Sequence, residues 1–182
     1  MNRRDLLKNM AAFGFVTLFP NSIIKACDNS KPLFIVGLGY AGCNISNYFC
    51  KKGVKAQYLS IKDWDETCED FKTIDMWFQE DYHYVLLAGL GGVTGSYLIE
   101  NLNKHLLLKN KQVTTLCSQP FTFEGKLRNK RATIVLENIQ HIPNVYKIEL
   151  DNLRPKYGNL SMKESFEKAD EEVYLLFSQI VK

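Results

Sequence analysis

Apolar runs alternate along this chain with segments whose apolar positions recur three and four residues apart. Leu33-Phe34-Ile35-Val36 is continuous, as expected of a strand covered on both faces. Asn44, Ile45, Tyr48 and Phe49 begin a helical pattern that Gly53 is placed to stop. Lys55 to Ile61 reads as a second strand, and residues 65–81, acidic and aromatic, as a short helix or an irregular link. A third apolar run, Tyr84-Val85-Leu86-Leu87, precedes a periodic segment from Tyr97 to Leu108. Gln112 to Cys117 and Val145 to Leu150 read as further strands, with a helix over Lys126–Ile139 between them. Ser161-Met162-Lys163-Glu164 is a capping box, in which hydroxyl and carboxylate satisfy orphan N–H groups reciprocally. Behind it Phe166, Ala169, Val173, Leu176 and Ile180 repeat at helical spacing. Strand–helix alternation of this kind predicts an α/β fold: a doubly wound, mainly parallel sheet with helices on both faces.

The first thirty residues follow another logic. Asn2-Arg3-Arg4-Asp5-Leu6-Leu7-Lys8 resembles a twin-arginine export signal, and Met10 to Phe19 has the length and polarity of a signal core. The alternative is an amphipathic starting helix on the domain or on a membrane surface. Either way residues 1–30 are set apart as a leader and residues 31–182 taken as one domain. The leader implies export or membrane association.

Composition narrows the classes. At 182 residues the chain fits a single domain with its own core. A net charge of +3 gives no support for nucleic-acid binding, although Lys104, Lys109, Lys111, Lys126, Arg128, Lys130 and Arg131 make a basic-rich middle. The five cysteines are odd in number and lack metal spacing, and His83, His105 and His141 form no i, i+4 pair. No metal ligand set is expected.

Two glycine-rich turns mark the chemistry. Gly37-Leu38-Gly39-Tyr40-Ala41-Gly42 follows the first strand, and an acid, Asp63, stands about twenty residues on, the arrangement of a dinucleotide fold. Ala88-Gly89-Leu90-Gly91-Gly92-Val93-Thr94-Gly95-Ser96 follows the third apolar run and leads into a helix. Such turns aim backbone N–H groups into one concavity and suit phosphate. They also serve as tight βα turns with glycine for packing alone. Both lie at the carboxyl edge of the sheet, where ligands of open α/β folds sit.

Three separated stretches, and a fourth, agree on a family. Ile35 to Asn44 resembles the first nucleotide loop of FtsZ and tubulin, and Ala88 to Ser96 the tubulin signature loop. Pro120-Phe121-Thr122-Phe123-Glu124-Gly125-Lys126-Leu127-Arg128 is close to the FtsZ pattern P-F-x-F-E-G-x-x-R. Glu164 to Asp170 looks like the guanine-reading helix. The resemblance implies GTP or GDP as ligand, with Mg2+ held through the phosphates. Gly37, Gly39, Tyr40, Ala41, Gly42 and Cys43 would wrap the α- and β-phosphates, and Asn44 would reach ribose or base. Gly91, Gly92, Val93, Thr94 and Gly95 would present N–H groups to phosphate. Glu124 would accept from the ribose, and Arg128 would set its planar fork near phosphate or sugar. Phe166 would stack on the purine, and Asp170, one turn on, would accept from the paired N–H donors of guanine that adenine lacks.

Departures from the family shape the expectation. Tyr40, Ala41 and Cys43 stand where FtsZ has glycines, and Val93 and Tyr97 do so in the second turn. The segment before Tyr84 is short, and the sequence ends at Lys182, before the acidic loop that in FtsZ completes a neighbour's hydrolytic site. Weak or absent GTP hydrolysis is expected, with no catalytic residue assigned. Two other readings fit the same residues. One is a non-catalytic FtsZ-fold module that binds a protein partner, a second copy or a membrane; the other is an NAD-binding Rossmann protein with Asp63 on the ribose.

Overall fold

The computed structural model describes residues 16–18, 31–64 and 75–181. Five parallel strands form the sheet: β2 (Leu33–Leu38), β3 (Gln57–Ile61), β4 (His83–Gly89), β5 (Gln112–Gln119) and β6 (Val145–Glu149). A three-residue strand, β1 (Val16–Leu18), runs antiparallel along the outer edge of β6, within the stretch set apart as leader. The paired arginines and the rest of that stretch lie outside the described residues. The strand order is β1-β6-β5-β4-β2-β3. The chain therefore leaves β2 for one side and returns as β4 on the other, a topological switch point between these two strands.

Helices α1 (Gly39–Lys51), α2 (Val93–Leu108), α3 (Lys126–Ile139), α4 (Leu153–Tyr157) and α5 (Met162–Ile180) cover the sheet. Alternation along the strands sorts the core into two layers. Val36, Leu38, Leu86 and Ala88 face α2 and α3 through Leu98, Ile99, Leu102, Ala132 and Ile139. Ile35, Val85, Leu87 and Leu116 face α1 and α5 through Ile45, Phe49, Val173 and Phe177. Phe49 is fully buried, its ring 4.8 Å from Phe177 and 5.5 Å from Tyr174, which locks α1 to α5. Truncating it to alanine would cost about 3–5 kcal/mol, the usual range for a buried phenylalanine.

The elements read from periodicity are present, with shifted ends. Helix α1 begins at Gly39 and α2 at Val93, each several residues before the first apolar repeat. Gly53 (φ +77°) ends α1, with Val54 N–H donating to the Phe49 carbonyl. Helix α4 was not expected; Glu172, buried on α5, accepts from Lys156 and Tyr157 of α4 at 2.5 Å each and pins it in place. Most of the expected link at 65–81 lies outside the described residues. His83 is a core histidine bonded to Thr114 Oγ1 at 2.8 Å, and burial holds its pKa down at about 4. In the basic-rich middle Lys104 pairs with Glu100, Lys109 with Asp75 and Arg128 with Glu124, while Lys111 and Arg131 donate to backbone carbonyls. Among the described residues no three His, Cys, Asp or Glu side chains are placed to hold a metal, and no helix is long and apolar enough to cross a membrane.

Candidate nucleotide site

Helices α1 and α2 both start at the switch point, and both start uncapped. No described side chain bonds the first-turn amides of either, and neither first turn contains an acid. Helix α5 shows the contrast: Ser161 accepts from Glu164 N–H at 3.3 Å while Glu164 accepts from Ser161 N–H at 2.8 Å. Two adjacent helices with free N–H groups and partial positive charge at one place make an anion site.

The turns differ in what their glycines do. A Cβ on Gly42 would stand 2.1 Å from the Leu87 carbonyl oxygen, so only glycine lets α1 lie this close to β4. A Cβ on Gly37 would likewise stand 2.7 Å from the Gly42 carbonyl oxygen, and Cys43 is buried beside it with its thiol 3.5 Å from the Gly37 carbonyl oxygen. In the second turn Gly91 has φ +88° and packs on the Arg128 backbone, where Arg131 donates to its carbonyl at 2.7 Å. Gly92, by contrast, faces open space.

A cleft of about 240 Å³ opens over the switch point. It brings together Gly39, Tyr40, Ala41, Gly92, Val93, Thr94, Gly95, Glu124, Arg128, Phe166 and Asp170 of the residues singled out by sequence. Gly37, Gly42 and Cys43 lie beneath it as packing residues, and Gly91 supports its wall. Asn44 is exposed one turn into α1, outside the cleft lining, and does not cap the helix. Asp63, the acid of the dinucleotide reading, also stands outside; its carboxylate accepts from the Tyr40 hydroxyl at 3.4 Å. Sequence reasoning passed over Lys62, Ser118 and Val173, which line the cleft from the ends of β3 and β5 and from α5. The stripe that contains Phe166 and Val173 was the available signal for the last; nothing marked the other two.

Glu124 holds its corner by two bonds. It accepts from Phe121 N–H at 2.9 Å and from Arg128 Nη1 at 2.6 Å, so the carboxylate and the guanidinium are fixed together at the cleft wall. Phe121 stacks on Phe123 at 4.8 Å and meets Phe166 edge-on at 5.6 Å. Phe166 remains 40% exposed and lines the cleft, although it starts the apolar stripe of α5. Asp170 lies one turn further on. Burial, with the Glu167 charge adding, pushes its carboxyl up to about 7, and it has no hydrogen bond or ion pair with another described residue. A half-buried acid without a partner in a cleft awaits a donor.

The parallel sheet and the helices that cover it match the GTPase-domain fold of FtsZ and tubulin. No family model matches the sequence. It is 26% identical over 162 residues to the cell division protein FtsZ of Mycoplasmopsis pulmonis, across 86% of this chain and 38% of that protein. The fold matches an empty FtsZ dimer from M. jannaschii with a TM-score of 0.71, at 18% identity, over all of this chain and 60% of the other. It also matches the GDP-bound monomer of CetZ1 from Haloferax volcanii with a TM-score of 0.60, at 19% identity, over 78% of this chain and 57% of that one. The chain thus spans less than two thirds of the relatives it matches.

Proposed function

We propose that this chain is a member of the FtsZ/tubulin family and binds a guanine nucleotide, GTP or GDP, in the switch-point cleft. The observation behind this is the pairing of two uncapped helix N-termini with an unpartnered acid, Asp170, in the same cleft. The amides of Val93, Thr94 and Gly95 and the start of α1 would take the phosphates, and Phe166 would stack on the base. Ionised Asp170 would accept from guanine's adjacent N–H groups; adenine would leave those oxygens unpaired. Glu124 and Arg128 would meet the sugar. Mg2+, with no protein ligand set for it among the described residues, would ride on phosphate oxygens and water.

Slow or no hydrolysis by the chain alone is part of the proposal. Among the described residues the two carboxylates that line the cleft are both engaged in this reading, Asp170 with the base and Glu124 with Phe121 and Arg128. Neither is left to align a water on the terminal phosphate. A partner-binding role is a second reading, favoured by the exposed Tyr40, Val93, Phe123, Leu127 and Phe166 around the cleft and its wall. Sedimentation with and without GTP separates a second copy from a different partner. The twin-arginine leader expected from residues 2–8 is tested by changing Arg3 and Arg4 to lysine and fractionating cells; an unchanged distribution overturns that expectation.

Denaturing the purified protein and analysing what it releases tests the binding directly. Near-stoichiometric guanine nucleotide is expected. An empty protein that also takes up no added GTP or GDP at submillimolar concentration overturns the proposal.

A further inference from the structure

Among the described residues, the cleft lining holds a second basic side chain besides Arg128. Lys62 directly follows β3 and lines the cleft with Tyr40, Val93 and Thr94. It is exposed and makes no hydrogen bond or ion pair with any described residue. The other basic residue of the lining, Arg128, is already tied to Glu124. The neighbouring acid, Asp63, is turned to the Tyr40 hydroxyl instead.

Sheet order fixes where this charge lies. β3 is the edge strand beyond β2, whereas α5, with Asp170, packs on α1 and on β5 at the other side of the switch point. Asp170 and Lys62 therefore mark the two ends of the cleft, with the uncapped starts of α1 and α2 between them. A nucleotide gripped by its purine at α5 runs its phosphate chain over those amides and ends at β3. An ammonium without an ion-pair partner among the described residues meets there the charge added by one more phosphate.

We infer that Lys62 is the contact for the terminal phosphate of a nucleoside triphosphate and makes this chain prefer GTP to GDP. The inference rests on the guanine-nucleotide reading and adds to it the group that senses the length of the phosphate chain. The phosphate contacts assigned above are backbone amides, which bind α- and β-phosphates whether or not a third follows. Lys62 acts at the far end, where the two ligands differ.

Calorimetric titration of the wild-type chain and of Lys62→Gln and Lys62→Arg with GTP and with GDP tests this. Wild type is expected to bind GTP about tenfold more tightly than GDP, the scale of one charge-assisted contact. Lys62→Gln should bring the two affinities within about threefold of each other while leaving GDP binding nearly unchanged, and Lys62→Arg should keep the preference. Circular dichroism spectra should be the same for all three, since Lys62 is exposed. A wild-type chain that binds both ligands equally, or a Gln variant that keeps the GTP preference or loses both ligands alike, overturns the assignment to Lys62. A wild-type chain that binds neither overturns the nucleotide reading, and this inference with it.

Discussion

Where β2 passes into α1, a methyl group on Gly42 would press on the Leu87 carbonyl oxygen from 2.1 Å; where β4 passes into α2, one on Gly92 would meet nothing within 4 Å. The two turns share a glycine-rich sequence, a strand before and a helix after. The first spends most of its glycines on letting α1 lie flat against the sheet, and it sets Tyr40, 65% exposed, at the cleft mouth. In the second, Gly89, Gly91 and Gly95 are hemmed in as well, and it is Gly92 that faces open space. Glycine in a βα turn thus answers two separate demands, close packing of backbone on backbone and close approach of backbone to a ligand. In this fold the demands fall on different residues only a few positions apart.

Substitution separates them. Gly42→Ala forces the α1–β4 contact apart and should destabilise the protein by about 3 kcal/mol or more, read by urea unfolding. A loss below about 1 kcal/mol would show that α1 can shift freely, contrary to the packing role. Asp170→Ala should weaken the preference for guanine over adenine nucleotide by about 1–3 kcal/mol, the scale of a lost charged hydrogen bond. Unchanged discrimination in that variant would remove Asp170 from the base site.

The same carboxyl gives two pH signatures of opposite sense. Its folded pKa of about 7 lies above the ordinary carboxyl value of 3.8, so between these the native state holds a proton that the unfolded chain has lost. Its contribution to stability is full at low pH and is lost as pH rises through about 7. Guanine binding needs the ionised form, so affinity for GDP should rise with pH up to about 7, by close to tenfold per unit below it. Asp170→Asn should flatten both profiles. Smaller effects belong to the turns themselves. Tyr40→Gly should raise affinity for GDP by about threefold by opening the first turn to phosphate. Gly92→Ala should change stability by no more than about 0.5 kcal/mol, because its Cβ enters open space.

Much of this was legible in the sequence, for reasons that also say where reading fails. The buried strands announce themselves as unbroken apolar runs because both sheet faces are covered. Helix α5 is marked by its capping box and stripe. The starts of α1 and α2 are not legible as helix because glycines and Tyr40 carry no helical period, yet those uncapped turns are where the proposed site lies. Helix α4 is too short for a period and is held by a tertiary contact with Glu172. Phe166 and Asp170 were found through motif resemblance, while the unpartnered state of Asp170 is visible only once α5 is docked on the sheet. Lys62 gave no signal at all, since a single lysine after a strand looks like any solvated residue.

Reading of a guanine base by the cleft at the switch point is the property from which the other expectations follow. The most direct measurement is calorimetric titration of the wild-type protein with GDP and with ADP at pH 8, above the Asp170 titration. GDP should bind at submillimolar concentration and at least about tenfold more tightly than ADP, as expected when the wrong base leaves a buried acid unpaired. Equal affinity for the two, or no binding of GDP, would contradict it.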